Sequence, residues 1–322
     1  MKAAGLFSGG LDSLLAIKLV QKQGIDVFAI SFTSPFFIDE EKKKKLEKIA
    51  EQQKFKIKFI DLGEDYLKLV RNPLHKHGKN MNPCIDCHAF MLRKAKEYAD
   101  KIKAKFVFTG EVLNERPMSQ NIQSLEVVEA QSGLKGKLLR PLSAKLLLET
   151  DAEKKGYVDR EKLLDFNGRS RKPQISLAKR FKIKEYETPA GGCLLTCEGF
   201  SNKLKDLFDN KRKVSVKDVE LIKYGRYFRH KKSIIIVGRN EKGNEQLLKL
   251  KSPKDYFLEV PSHGSPITIL QGKDTEFAAQ LTATYSDSED KKVLVKYGKK
   301  KLSKDIVVKQ IPKEKAKKYL ID

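Results

Sequence analysis

The chain has 322 residues, of which 40% are hydrophobic and 34% are charged, and its formal net charge is +24. This length suggests two or three domains with a sizeable core. No run approaches the roughly 18 apolar residues that a membrane span requires. The first residues lack the apolar stretch and small-residue cleavage site of a signal peptide. The sequence therefore predicts a cytoplasmic protein with no membrane partner.

The positive charge is spread along the whole chain and is densest in its C-terminal part. Residues 199–322 hold 29 lysines and arginines against 16 acidic residues, whereas residues 1–198 hold 37 against 26. Such a surface favours a polyanionic partner, because each neutralised phosphate releases counterions. Heat adaptation is the plain alternative, but it enriches lysine and glutamate together and leaves the basic excess unexplained. Composition thus favours nucleic acid as a partner.

The first 150 residues alternate between strand-like runs and amphipathic helical stretches. This alternation predicts βαβ units around a doubly wound parallel sheet, which binds its ligand beyond the C-terminal ends of its strands. We assign residues 1–198 to this α/β domain. The predicted strands are 2–7, 26–33, 55–62, 104–109 and 138–142, and the predicted helices are 12–22, 39–53, 159–165 and 170–182.

The composition changes after about Gly199. Strand-like runs follow at 233–237, 267–270 and 293–296, with an amphipathic helix near 276–284 and basic turns elsewhere. This pattern predicts a second, smaller α+β domain over residues 199–322.

A glycine-rich turn, Ser8-Gly9-Gly10-Leu11-Asp12-Ser13, lies between the first predicted strand and the first predicted helix. Backbone N–H groups at a helix N-terminus attract phosphate oxygens, and glycines let the backbone approach them closely. Ser8 and Ser13 can donate hydroxyl hydrogen bonds to phosphate, and Asp12 can hold Mg²⁺. The alternative is a turn whose Asp12 or Ser13 only caps the helix. The turn fits neither GxxxxGK[ST] nor GxGxxG, so it predicts neither a kinase-type P-loop nor a nicotinamide site.

This turn resembles the SGGxDS signature of the PP-loop (N-type) ATP pyrophosphatases. These enzymes cleave ATP between the α and β phosphates, transfer AMP to a carbonyl oxygen and bind the pyrophosphate on this loop. The resemblance implies that the nucleotide site comprises Ser8, Gly9, Gly10, Asp12 and Ser13, with Ser31 and Phe32 near the adenine and Thr109, Gly110 and Glu111 completing the pocket.

Four cysteines form two closely spaced pairs, Cys84 with Cys87 and Cys193 with Cys197. In a cytosolic chain such pairs indicate metal or sulfur chemistry rather than structural disulfides. The first pair is expected in a loop just before a helix. All four thiols could bind zinc, Cys193 could carry a persulfide that Cys84 or Cys87 resolves, or the first pair could be small buried residues without a function.

Within the PP-loop superfamily, a CxxC motif with one distant cysteine is similar to the tRNA thiolation enzymes. In their cluster-dependent members, three thiolates hold a [4Fe–4S] cluster whose remaining iron binds the incoming sulfide. The resemblance implies that Cys84, Cys87 and Cys193 are the metal ligands and act in catalysis with Asp12. Cys197 departs from the three-cysteine pattern, and zinc is the alternative metal.

Further stretches narrow the resemblance. Residues 110–121, 139–143 and 188–196 resemble the tRNA 4-thiouridine synthase-like family, and residues 224–240 resemble part of an NFACT-type RNA-binding domain. The resemblance implies an ATP-dependent tRNA sulfurtransferase that receives sulfur from sulfide or a persulfide carrier. We expect 4-thiouridine as the product, with 2-thiouridine as the alternative. Competing hypotheses are a PP-loop amidating enzyme that acts on a small substrate and a non-catalytic zinc-containing RNA-binding protein.

Several polar residues in these stretches also have a purely structural interpretation. Arg140 could be a surface salt-bridge partner. Three aromatic residues could stack on RNA bases or lie in the core, and three arginines could contact RNA or form a solvated face. The aromatic residues are Tyr224, Tyr227 and Phe228, and the arginines are Arg226, Arg229 and Arg239.

Overall fold

The computed structural model describes residues 1–186, 193–261 and 263–322. It divides into two compact units, Met1–Thr196 and Cys197–Asp322. The predicted stretch 188–196 lies partly outside the described residues. No helix in the described ranges is long and apolar enough to cross a bilayer.

The first unit is built on a five-stranded parallel sheet in the order β3-β2-β1-β4-β5. This arrangement confirms the predicted doubly wound α/β architecture. Its strands are β1 (Lys2–Leu6), β2 (Asp26–Thr33), β3 (Lys56–Asp61), β4 (Val107–Phe108) and β5 (Leu138–Leu139). Its helices are α1 (Leu11–Gln21), α2 (Glu40–Gln52), α3 (Gly63–Arg71), α4 (Cys84–Lys101), α5 (Ile122–Ser132), α6 (Asp151–Lys154) and α7 (Lys172–Arg180).

Helix α1 is the central helix of this unit. Eight of its eleven residues are buried, which is the pattern of a core helix rather than of a surface helix with one apolar face. Because α1 is packed on most sides, its N-terminus is fixed beside the C-terminal end of β1. The glycine-rich turn that joins the two elements is therefore held on a rigid support.

The sequence prediction missed helices α3, α5 and α6, and the strand predicted over 104–109 is only Val107–Phe108. Three further differences concern β5, the predicted helix 159–165 and the first cysteine pair. Strand β5 ends at Leu139, because Pro141 has no N–H group with which to continue the ladder. The helix predicted over 159–165 is a single 3₁₀ turn, Arg160–Lys162, and Leu163 is already extended. Cys84 and Cys87 lie in the first turn of α4 rather than in a loop before it. The Cys87 N–H closes that turn by donating to the Pro83 carbonyl at 2.8 Å.

The second unit contains a six-stranded antiparallel sheet in the order β11-β10-β8-β9-β7-β6, as expected for a separate α+β domain. Its strands are β6 (Gly225–His230), β7 (Ser233–Gly238), β8 (Tyr256–Glu259), β9 (Thr268–Gln271), β10 (Val293–Gly298) and β11 (Lys304–Val308). Its helices are α8 (Glu198–Asn210), α9 (Val216–Leu221), α10 (Glu241–Leu250), α11 (Thr275–Thr284) and α12 (Lys313–Lys317).

Candidate functional site

The glycine-rich turn leaves the N-terminus of α1 available to an anion. Gly10 is the N-cap residue and offers no side chain to cap the helix. Gly9 has a φ of +86°, a left-handed conformation that glycine adopts without strain. The Ser13 hydroxyl donates to the Gly10 carbonyl at 2.8 Å and lies 3.4 Å from the Ser8 hydroxyl. The turn thus presents two hydroxyls and an uncapped helix start, which is the chemistry of a phosphate site.

The neighbouring strand ends support this turn. A β-carbon on Gly110 would lie 2.5 Å from both N and Cα of Ser13, so only glycine lets the chain after β4 approach α1 this closely. Ser31 is fully buried, and its hydroxyl donates to the Phe7 carbonyl at the end of β1. Phe32 is also buried. The contacts of Ser31 and Phe32 with a nucleobase remain a prediction.

Asp12 projects into a polar cluster beside the turn. One of its carboxylate oxygens lies 3.4 Å from Nη2 of Arg171, and the other, Oδ1, is buried without a hydrogen bond in the described structure. Burial raises the pKa of Asp12, whereas Arg171 and Arg116 oppose this shift. The unsatisfied oxygen fits a Mg²⁺ ion, which prefers carboxylate and water oxygens.

Two further side chains complete this cluster. Gln174 is 1% exposed, and its amide lies near enough to Asp12 to help lower that pKa. Neither amide atom of Gln174 forms a hydrogen bond of normal geometry within the described ranges. Burial and the charge of Asp12 together raise the pKa of Glu115, whose carboxylate lies 4.0 Å from Nε of Arg171. The cluster thus has unused hydrogen-bonding capacity that a bound nucleotide and its metal could satisfy.

The first cysteine pair is brought near Cys193 by the segment that follows Cys193. The Leu194 N–H donates to the Phe36 carbonyl at 2.9 Å, and the Leu195 carbonyl accepts from the Met81 N–H at 3.1 Å. These bonds hold the segment against the chain that leads into α4. Cys84 and Cys87 are free thiols on the first turn of that helix.

Cys84 and Cys193 both lie near enough to Cys87 to affect its pKa. Burial raises the pKa of Cys87 to about 12; Tyr66 opposes this effect and the nearby Cys193 and Cys84 add to it. Burial also raises the pKa of Cys84, whereas the Arg116 guanidinium lowers it. The hydroxyl oxygen of buried Tyr66 lies 2.9 Å from the Cys87 sulfur. The structure therefore brings the three predicted sulfurs into one neighbourhood.

The donor set of this neighbourhood fits an iron–sulfur cluster. Three cysteine thiols are soft ligands of the kind that clusters require. No three cysteine, histidine or acidic side chains in the described part of the chain are gathered tightly enough to hold a single metal ion. A cubane cluster binds each thiolate to a different iron, so its ligands lie farther apart than those around one zinc ion. Cys197 begins the second unit and is exposed.

The loop between β4 and α5 connects the phosphate turn to the cysteines. Near one end, Glu115 lies beside Arg171, the partner of Asp12. Farther along, Met118 lies against Gly78, which belongs to the chain that leads to α4. A β-carbon on Gly78 would lie 3.0 Å from Cε of Met118. Arg116 lies between these two contacts, and its charge lowers the pKa of both Asp12 and Cys84.

A buried ion network beneath the site was missed by the sequence analysis. Glu111 accepts from Nε of Arg140 at 3.0 Å, from Nδ1 of His88 at 2.9 Å and from the Thr109 hydroxyl at 3.0 Å. Burial alone would raise the pKa of Glu111, but Arg140 and His88 outweigh it and hold the value at about 2. Arg140 is 2% exposed and also pairs with Glu129, so the surface interpretation of Arg140 is wrong.

The NFACT-like stretch contributes mainly to the core of the second unit. Tyr227 and Phe228 are fully buried, so the base-stacking interpretation is wrong for these two rings. The Tyr227 hydroxyl donates to Asp206 at 2.6 Å, and Nη2 of Arg229 pairs with the same carboxylate at 2.6 Å. Arg226 donates to the Gly238 carbonyl at 3.0 Å. Tyr227 and Phe228 are adjacent and so lie on opposite faces of β6, yet both are buried; the sequence alone did not reveal that both faces of this strand are covered.

Comparison with known proteins assigns a family model to each domain. Residues 1–146 match the family model described as thiamine biosynthesis protein (ThiI), and residues 225–320 match the NFACT protein RNA-binding domain. The chain is 34% identical over 114 residues to an uncharacterised protein of Methanocaldococcus jannaschii. These residues cover 35% of this chain and 41% of that protein. It is 32% identical over 139 residues to a probable tRNA sulfurtransferase of Finegoldia magna. These residues cover 43% of this chain and 35% of that protein. The chain thus spans well under half the length of these relatives.

A solved structure of a 4-thiouridine synthetase–RNA complex with bound ATP aligns with 68% of this chain and 52% of its own, at 19% identity and a TM-score of 0.37. The U34-tRNA thiolase NcsA from Methanococcus maripaludis, solved with its [4Fe–4S] cluster, aligns with 65% of this chain and 66% of its own, at 18% identity and a TM-score of 0.36. Superpositions this loose carry no functional information. The two family models match residues 1–146 and 225–320, the parts of the chain in which the PP-loop and NFACT-type resemblances lie.

Proposed function

We propose that this chain is an ATP-dependent tRNA sulfurtransferase that replaces a uridine carbonyl oxygen with sulfur. One observation carries the proposal: the loop between β4 and α5 contacts both parts of the site. Its Glu115 lies 4.0 Å from Arg171, the partner of Asp12, and its Met118 lies against Gly78 in the chain that leads to Cys84. An activating nucleotide and a sulfur-bearing group would then bind on either side of this loop. The match of residues 1–146 to the ThiI family model agrees with this chemistry.

In the first half of the reaction, the chain positions Mg·ATP for attack. The turn from Ser8 to Ser13 would bind the β and γ phosphates, and Asp12 would hold Mg²⁺ through its unsatisfied oxygen. The uridine oxygen then attacks the α-phosphorus, a new P–O bond forms, and the bond to pyrophosphate breaks. Arg171 and Arg116 would stabilise the charge that develops on the phosphates. The product is a uridine whose former carbonyl oxygen carries AMP.

In the second half, hydrosulfide adds to the activated carbon and AMP leaves with the oxygen. The S–H proton then moves to the ring nitrogen, which lost its own proton during adenylation, and the thiocarbonyl forms. Cys84, Cys87 and Cys193 would hold the sulfur-bearing group in place. A [4Fe–4S] cluster bound by these thiolates would supply an iron site for sulfide. Sulfide is one donor that suits these residues, and a persulfide on Cys193 is the other. The terminal persulfide sulfur would add to the carbon, and the thiol of Cys84 or Cys87 would then attack the Cys193 sulfur. This attack releases the thiocarbonyl and leaves a disulfide that a thiol reductant must reduce. Zinc is the alternative metal, and it would require these thiolates to lie closer together than they do in the described residues; metal analysis distinguishes the two.

The second domain would bind the tRNA. It matches an RNA-binding family model, and residues 199–322 contain the densest basic charge of the chain. We propose 4-thiouridine as the product, in a cytoplasmic enzyme.

The decisive experiment is thiolation of an unmodified tRNA transcript. Protein purified without oxygen is incubated with the transcript, Mg·ATP and sulfide, and the digested nucleosides are analysed by chromatography and mass spectrometry. We expect ATP-dependent thiouridine, and comparison with 4-thiouridine and 2-thiouridine standards identifies the carbon. Cys193→Ala should abolish thiolation and retain nucleotide binding, whereas the matched variant Cys197→Ala should remain active.

Two results would contradict the proposal. Pyrophosphate release that depends on a small carbonyl substrate and an amine, without RNA, would indicate an amidating enzyme. Zinc without iron after anaerobic purification, combined with no thiouridine under any condition, would indicate a non-catalytic RNA-binding protein.

A further inference from the structure

Three lysines of the turn between β10 and β11 and the first lysine of β11 surround a shallow cavity of about 320 Å³. Its lining includes Lys299, Lys300, Lys301 and Lys304 together with Tyr256 and Ser303, and we name this group the lysine cradle. None of the four lysines forms an ion pair within the described residues, and all four are exposed. The cradle lining contains no carboxylate. Four unpaired cations around one concavity repel each other unless an anion neutralises them.

The backbone of the turn fixes three of these lysines at one point. A β-carbon on Gly298 would lie 1.8 Å from the Lys301 carbonyl oxygen, so the chain can reverse this tightly only at a glycine. The Ser303 N–H donates to the Tyr297 carbonyl at 3.2 Å and closes the turn. Lys251, at the end of α10, donates to the Lys299 carbonyl at 2.6 Å and adds a fifth positive charge. The charge concentration is therefore a consequence of the turn geometry and not only of composition.

Two tyrosine rings orient the ammonium groups. Nζ of Lys299 lies 4.8 Å from the centre of the Tyr256 ring, and Nζ of Lys304 lies 6.0 Å from that of Tyr297. The two rings are 6.0 Å apart and pack against the core of the unit. Such cation–π contacts restrict flexible lysine side chains, which lowers the entropy lost when an anion binds.

We infer that the lysine cradle is a binding site for the sugar–phosphate backbone of RNA. This inference rests on the proposed function and adds to it the surface that the RNA occupies. Several ammonium groups at one exposed turn suit successive phosphates of one strand, because each lysine neutralises a separate charge. Positive charge is the main feature of the cradle, so we expect it to set affinity rather than sequence preference.

The test compares two triple variants with the same change in charge. Lys299→Gln/Lys300→Gln/Lys301→Gln removes the cradle. Lys315→Gln/Lys317→Gln/Lys318→Gln removes three other exposed lysines of the same domain. Binding of an unmodified tRNA transcript is measured from low to high salt, together with thermal melting. A third variant, Lys299→Arg/Lys300→Arg/Lys301→Arg, keeps the charge and controls for damage to the turn.

The cradle variant should lose roughly tenfold to a hundredfold in tRNA affinity, and its salt slope should fall by about two to three. The Lys315→Gln/Lys317→Gln/Lys318→Gln variant should lose less than about threefold in tRNA affinity. The arginine variant should bind tRNA as the wild type does. Equal losses in the two glutamine variants, or no loss in the cradle variant, would overturn the inference. If the wild type thiolates tRNA while the cradle variant binds it normally, only the cradle assignment fails.

The same variants distinguish RNA from other polyanions. If the cradle variant loses binding to phosphatidylserine vesicles or inorganic polyphosphate but not to tRNA, the site belongs to that other ligand and the inference is overturned. A wild-type protein that binds no tRNA at all contradicts both the cradle and the proposed function.

Discussion

The hydroxyl oxygen of Tyr66 lies 2.9 Å from the sulfur of Cys87, in a pocket formed by the rings of Phe36, Phe37 and Phe90. Burial, together with the charge of Cys87, raises the pKa of Tyr66 well above its ordinary value. The hydroxyl therefore stays protonated and must be the donor whenever Cys87 is a thiolate. A hydrogen bond to a ligand sulfur is one of the levers that set the reduction potential of a cluster.

Tyr66→Phe should lower the reduction potential of a cluster bound at Cys87, because the thiolate loses the hydrogen bond that disperses its charge. We expect iron to be retained, with a stability cost of about 1 kcal/mol. An anaerobic redox titration and an iron assay check this. Tyr98→Phe, on the same helix α4, is the control and should leave the potential unchanged. An equal potential in the two variants would refute a role of the Tyr66 hydroxyl.

Gly110→Ala should disrupt the phosphate turn, because the new methyl group would lie 2.5 Å from the backbone of Ser13. Helix α1 is packed in the core and cannot move aside, so overpacking should cost about 1–3 kcal/mol. We expect Mg·ATP affinity to fall at least roughly tenfold as the turn shifts. Calorimetric titration and thermal melting measure the two effects.

Gly136→Ala provides the matched control for this change. Gly136 has a φ of +68°, and the position that a β-carbon would take there is open space. Alanine at this position should therefore cost about 1 kcal/mol in strain and leave ATP affinity unchanged. Comparable loss of ATP binding in both variants would mean that general destabilisation, and not the turn, is responsible.

Much of this arrangement can be predicted from sequence, and what cannot be predicted has a physical reason. Two glycines between an apolar strand and an apolar helix predict the phosphate turn, because few other structures use that order. The 3₁₀ turn at Arg160–Lys162 was missed because a short charged stretch fits several local structures equally well. The Glu111–Arg140 pair was missed because its partners are 29 residues apart and only the fold shows that both are buried. The contact of Tyr66 with Cys87 joins two helices and has no local signal.

Asp12→Asn should strongly slow adenylation without destabilising the fold. Burial raises the pKa of Asp12, so at neutral pH the ionised carboxylate costs folding free energy, and a neutral amide removes that cost. Arg171 loses a partner but keeps Glu115 nearby. We expect an unchanged or higher melting temperature, and AMP formation reduced at least roughly a hundredfold.

Asp165→Asn is the control for this variant, since Asp165 is exposed and should affect neither measurement. AMP release and thermal melting are recorded for both proteins. An Asp12→Asn enzyme that forms AMP at the wild-type rate would show that this carboxylate does not hold the metal.

Glu111→Gln should destabilise the protein by about 3 kcal/mol, because it leaves the buried Arg140 guanidinium without the charge that compensates it. The cost is at the lower end for a buried pair, since Glu129 still accepts from Arg140. The control is Glu161→Gln: that carboxylate is 85% exposed and pairs with Lys145, and its loss should change stability by less than about 1 kcal/mol.

The pH dependence of unfolding stability tests whether loss of the buried charge pair causes the destabilisation of Glu111→Gln. The folded-state pKa of Glu111, about 2, is below its ordinary value of 4.5, so its contribution is fully present above pH 4.5. That contribution is lost as the pH falls from 4.5 towards 2, because the unfolded chain then binds the proton first. Denaturant unfolding should therefore show a gap between wild type and Glu111→Gln that is constant near neutrality and narrows below pH 4.5. A gap that stays the same across that range would mean that lost packing, rather than the buried charge pair, explains the destabilisation.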